Sequence, residues 1–165
     1  EGAAGRLIVR AAGWSGGAPA VPWLIRQFSD ATLARVAGNA FSYITGADLP
    51  DLHLEAPPPD GLEAGPNEDE TDDEVAIEED YGLPWPDPVR VQAWWAENEH
   101  RFQPGTRYFI GAPPTRTHCL QVLRNGYQTQ RMAAADFLCL SRPGTVLFNC
   151  AAPAWRQQRL LAQMQ

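Results

Sequence analysis

Two stretches of this chain resemble one another at a separation of 96 residues, and that internal match constrains the fold more than any other feature. The first is Ala31-Thr-Leu-Ala-Arg-Val-Ala-Gly-Asn-Ala-Phe-Ser-Tyr-Ile44, and the second is Tyr127-Gln-Thr-Gln-Arg-Met-Ala-Ala-Ala-Asp-Phe-Leu-Cys-Leu140. Arg35 aligns with Arg131, Ala37 with Ala133, Gly38 with Ala134, Phe41 with Phe137 and Ile44 with Leu140. An arginine, then small residues, then a large apolar residue is the pattern of a helix that packs closely on a neighbour. Its recurrence is the mark of a repeat architecture. The match predicts two helices in similar surroundings, with Phe41 and Phe137 both buried.

Charge divides the rest of the chain. Residues 51–80 hold 13 acidic and no Lys or Arg side chains, residues 81–165 hold nine Arg against four acids, and residues 1–50 hold four Arg and three acids. The expected organisation is a helical repeat over 1–50, an acidic, Pro-rich insertion over 51–86, and a helical region over 87–165. Within the insertion Ala56-Pro57-Pro58-Pro59-Asp60-Gly61 cannot continue a helix, and Asn67–Glu74 is a self-repelling, solvated run. A hydrophobic fraction of 44% with 6 Trp is that of a folded chain. No apolar run reaches the ~20 residues that span a bilayer, so no membrane association is expected. The first residues lack a secretion-signal pattern and an initiator Met, and read as the interior of a longer chain. Cys119, Cys139 and Cys150 are odd in number and lie among apolar residues, which predicts reduced core thiols and a cytoplasmic location.

Local signals place the helices. Residues 3–13 read as a helix closed by Gly13, followed by a turn at Gly16–Gly17. A second helix starts near Ala20–Pro22, with Pro tolerated in its first turn. Ser29 or Asp30 is expected to cap a third, in which Leu33, Val36, Ala37, Ala40, Phe41 and Ile44 form a one-sided stripe ending at Gly46. Asp87-Pro88 begins a helix that runs to about Arg101 and carries Val91, Trp94 and Trp95. Thr115 or Thr117 caps the next, which stops at Asn125-Gly126. The second copy follows, and a last helix spans Pro153 to about Met164. Residues 107–111 and 145–150 are apolar but of undetermined type.

The string Ala12-Gly13, Gly16-Gly17, Ala20-Val21-Pro22, Leu24-Ile25, Asp30, Arg35 and the small-residue helix resembles a HEAT-like repeat. Such repeats pair two helices and stack into a solenoid. More of the chain, through Ile44-Thr-Gly-Ala-Asp-Leu49, the acidic insertion, Leu83-Pro-Trp-Pro-Asp87, Arg107-Tyr-Phe-Ile-Gly111 and the Arg-rich final helices, resembles the C-terminal part of bacterial HEAT-repeat proteins encoded in type VI secretion gene clusters. The resemblance implies an all-α, HEAT-like α-solenoid fragment with a long acidic insertion, and an accessory or adaptor role in secretion. It supplies no catalytic residues.

Motifs for chemistry are sparse. His53, His100 and His118 show no metal-ligand spacing. Adjacent His118 and Cys119 point in different directions on a helix, against a nucleophile–base pair. Residues 67–80 lack the glycine of a calcium-binding loop. A chain without lysine has no phosphate-binding Gly-x-x-x-x-Gly-Lys, and a pI near 4.9 argues against nucleic acid. Hence no catalytic residue, metal or cofactor is expected. What remains is surface: the acidic side chains Glu68, Asp69, Glu70, Asp72, Asp73 and Glu74, suited to electrostatic capture of a basic protein partner, and Trp94 with Trp95, of which adjacent helical positions expose one more than the other. The expected function is a non-enzymatic protein-binding scaffold or adaptor. The alternatives are an immunity protein that blocks a toxin and a nucleic-acid-acting enzyme on a HEAT-like scaffold.

Overall fold

A computed structural model describes residues 2–59 and 79–164. It is mostly helical, and the chain divides into two units, residues 1–111 and residues 112–165.

In the first unit α1 (Gly2–Ser15), α2 (Val21–Arg26), α3 (Ala34–Thr45) and α4 (Pro88–Asn98) surround one core. The centre is α3. Alanines at 34, 37 and 40 and the glycine at 38 keep its surface low, so neighbouring elements approach its backbone. Helix α1 lies along it, while α2 and the strand at residues 85–86 pack elsewhere on its surface. The expected one-sided stripe is therefore surpassed: Arg35, Tyr43 and Thr45, off the stripe, are buried as well. Phe41 is fully buried and meets the Trp94 ring edge-on at 5.6 Å.

Two boundaries differ from the sequence reading. Gly13 does not close α1, which continues to Ser15. A Cβ at Gly13 would sit 2.9 Å from the Cα and Cβ of Ala40, so this glycine lets two helices touch. Neither Ser29 nor Asp30 caps α3. Leu33 holds the N-cap position without a side-chain bond, and Asp30 instead accepts from the Thr32 N–H (2.9 Å) and hydroxyl (2.7 Å). Gly46 ends the helix as expected, at φ +72°, with its N–H donating to the Ser42 carbonyl. Asp87 caps α4 by accepting from the N–H groups of Val89 and Arg90, with Pro88 at the first position.

A short antiparallel pair, β1 (Glu55–Ala56) with β2 (Trp85–Pro86), was not anticipated. It joins the chain on either side of the acidic run. Residues 107–109 are extended and the chain turns at Ile110 and Gly111, both at positive φ: the Tyr108 N–H donates to the Gly16 carbonyl, and the Ile110 N–H to that of Tyr43.

The second unit is built on α5 (Arg116–Asn125) against α6 (Gln128–Ser141), with α7 (Ala154–Gln163) beside them. Thr115 caps α5 through the His118 N–H. The core comprises Cys119, Leu120, Leu123, Ala133, Ala134, Phe137, Leu138 and Phe148. Phe137 is buried like Phe41, and Ala133 and Ala134 like Ala37 and Gly38. The match ends at its last member, because Ile44 is enclosed while Leu140 is 74% exposed.

Candidate partner-binding surfaces

The acidic side chains Glu68, Asp69, Glu70, Asp72, Asp73 and Glu74 lie outside the described residues. The chain that follows them is well tied down. Asp80 is 4% exposed, a burial rare for a carboxylate unless it is paired. Arg6 supplies the partner through a two-pronged fork, Nη1 to Oδ2 at 2.7 Å and Nη2 to Oδ1 at 2.6 Å. That bidentate geometry is the strong form of such a contact. Arg6 also reaches Glu79 at 3.3 Å, and Arg10 donates to Glu79 at 2.5 Å. Arg6 and Arg10 are one helical turn apart on α1, which places both guanidiniums on one face. Arg35 adds a bond to the Asp80 carbonyl at 3.3 Å and stacks on Trp85 with its guanidinium carbon 4.8 Å from the ring centre.

The electrostatics follow. Hydrogen bonding to Asp80 raises the Arg6 pKa, and the bond from Arg10 lowers that of Glu79. The sequence signal for this cluster was the i, i+4 arginine pair. Nothing in the sequence marked which of thirteen carboxylates it would hold.

Trp94 and Trp95 both belong to the packing of the first unit. Trp95 is buried and stacks on Phe102 at 5.3 Å, while Trp94 is half-buried against Phe41. The Trp95 indole N–H is enclosed without an acceptor among the described residues. Beside it lies an open groove of about 310 Å³ edged by Pro19, Pro22, Glu99 and His100. Of the two, Trp95 lines this groove.

His118 is half-exposed on α5, whereas Cys119 turns into the core. None of the three cysteines forms a disulfide, and burial pushes the Cys150 thiol up, away from the reactive thiolate. Among the described residues no group of His, Cys, Asp and Glu is placed to hold a metal ion. No helix among them is long and apolar enough to cross a membrane.

Arg131, aligned with Arg35, bonds the Leu123 carbonyl through Nε at 2.9 Å and the side chain of Gln157 through Nη2. The two repeat-register arginines thus share a task, satisfying carbonyls of adjacent chain. The second unit also carries a groove of about 440 Å³ between the chain at 142–148 and the end of α7. Comparison of the chain with known protein families, with curated proteins and with solved structures finds no match.

Proposed function

We propose that this protein is a HEAT-like α-solenoid fragment that acts as a non-enzymatic protein-binding scaffold or adaptor, accessory to type VI secretion in the bacterial cytoplasm. One observation carries the binding role. The described chain on both sides of residues 60–78 is anchored to the same helical unit, through the β1–β2 pair on one side and the Arg6–Asp80 fork on the other. Residues 60–78 contain nine carboxylates and no Lys or Arg. A concentration of negative charge tethered at both ends to a folded body is suited to fast capture of a basic partner. The solenoid reading is supported by the shared burial of Phe41 and Phe137 within the repeated sequence. The secretion role rests on the motif resemblance over residues 44–49, 83–87 and 107–111.

The test is affinity capture on the immobilised full chain, beside a variant with Glu68, Glu70 and Glu74 changed to Gln and Asp69, Asp72 and Asp73 to Asn. The expected result is a basic secretion component retained by the parent chain and not by the variant. It should be released as salt rises past the point where the Debye length falls to about 8 Å. Retention indifferent to both salt and neutralisation would overturn the proposal.

A further inference from the structure

The C-terminal unit carries a surface that the acidic-capture reading does not use. Residues 112–165 contain six Arg and one side-chain carboxylate, Asp136, a balance of +5. Asp136 is the one carboxylate side chain that those six guanidiniums have to share within the unit. Arg142 is exposed, and its guanidinium makes no hydrogen bond or ion pair among the described residues.

Apolar side chains near Arg142 are exposed as well. Helix α7 buries none of its residues. It is held by polar bonds: Arg124 donates to the Met164 carbonyl at 3.2 Å, Gln157 to the Cys150 carbonyl at 2.9 Å, and Arg131 to Gln157. That leaves Leu160 and Met164 to line the 440 Å³ groove, opposite Val146 and Leu147, with Arg116 and Arg142 at its edge. Val146 is 86% exposed and Leu147 57%. Exposed apolar groups gathered in a concavity with charge at the rim are the anatomy of a recognition site.

We propose that this groove docks a short acidic peptide segment of a partner protein, one that carries large apolar side chains between its carboxylates. The apolar side chains would fill the space between the 146–147 chain and α7. The planar guanidinium of Arg142 would take a carboxylate through two parallel bonds. Nucleic acid fits less well, because its affinity comes from many phosphate contacts and only two arginines border this apolar floor. A bilayer fits less well too, since the groove's apolar groups lie in a hollow that a flat surface does not enter.

The experiment is fluorescence anisotropy of the full chain with a labelled peptide of about twelve residues alternating Glu with Leu and Phe. Three other probes run in parallel: the same peptide with Ser for Leu and Phe, a single-stranded DNA oligonucleotide, and phosphatidylserine vesicles. The expected outcome is saturable binding of the first probe alone. Arg142→Glu should weaken it about tenfold, and Val146→Ser with Leu147→Ser should weaken it to a similar degree with the salt dependence retained. All three positions are exposed, and circular dichroism checks that the variants remain folded. Equal binding of the Ser peptide, binding of DNA or vesicles in preference to the first peptide, or indifference to Arg142→Glu would each overturn the proposal.

Discussion

At the residue scale, glycine shows how one side chain, or its absence, answers two different demands. Gly46 adopts a positive φ to end α3, and that role is legible because helix termini favour glycine for this reason. Gly13 looked the same in sequence and does something else: it removes a Cβ where α1 meets Ala40. Within α1, Gly13 and Gly5 predict opposite mutational signs. Gly13→Ala gains helix propensity of up to ~1 kcal/mol but forces an atom to 2.9 Å from the Ala40 backbone, where overpacking costs about 1–3 kcal/mol. Gly5→Ala gains part of the same propensity and meets only the flexible end of Leu33 at 3.7 Å. Urea unfolding should find Gly13→Ala less stable than the parent chain and Gly5→Ala equal or more stable by up to ~0.5 kcal/mol. A stabilised Gly13→Ala would show that α1 moves freely away from α3.

At the scale of elements, what could be read was what is decided locally. Asp87 before Pro88, Thr115 three residues before His118, and Gly46 after the α3 stripe each place a donor, an acceptor or a backbone angle within one turn. Those boundaries agree with expectation. What could not be read was decided at a distance. The β1–β2 pair has two residues per strand, too few for an alternating pattern, and its partners are thirty positions apart. The grip of Arg6 and Arg10 on Glu79 and Asp80 crosses some seventy positions and selects two carboxylates from a run whose members look alike. This grip has a pH signature. The Glu79 pKa is depressed by Arg10, so the unfolded chain binds its proton more tightly than the folded one. Its stabilising effect is full above the ordinary carboxylate pKa of about 4.3 and is lost as pH falls through the lower folded value. Glu79→Gln should therefore lower stability modestly above about pH 4.3, by an amount kept small because the exposed pair is screened, and its curve should converge on that of the parent at lower pH. Asp80→Asn, by contrast, leaves Arg6 with a weaker acceptor in a buried place and should cost about 1–3 kcal/mol at pH 7. A Glu79→Gln curve parallel to that of the parent would remove the Arg10 contact from the account.

At the scale of the molecule, the repeated helix is the link between sequence and architecture, and its limits are physical. The small residues and phenylalanine recur with like burial because each copy needs a close-packed face. Leu140 departs from Ile44 because burial of the last turn depends on what covers it, and an apolar residue in sequence does not say whether a cover exists. The two Phe rings therefore sit in comparable helices but in separate cores, with the main hydrophobic cluster drawn wholly from the first unit. Five of the six Trp lie in that unit, and the sixth, Trp155, is 64% exposed. Tryptophan fluorescence thus follows chiefly the first core, while far-ultraviolet circular dichroism follows the helices of both. Phe41→Ala and Phe137→Ala should each cost ~3–5 kcal/mol in the core that loses the ring. Phe41→Ala should move the fluorescence transition to lower denaturant. Phe137→Ala should instead split the transitions, with ellipticity falling first and fluorescence following near the parent midpoint. If Phe137→Ala shifted both signals together, the two cores would unfold as one cooperative unit, and the repeated helices would have to be treated as parts of a single stacked body.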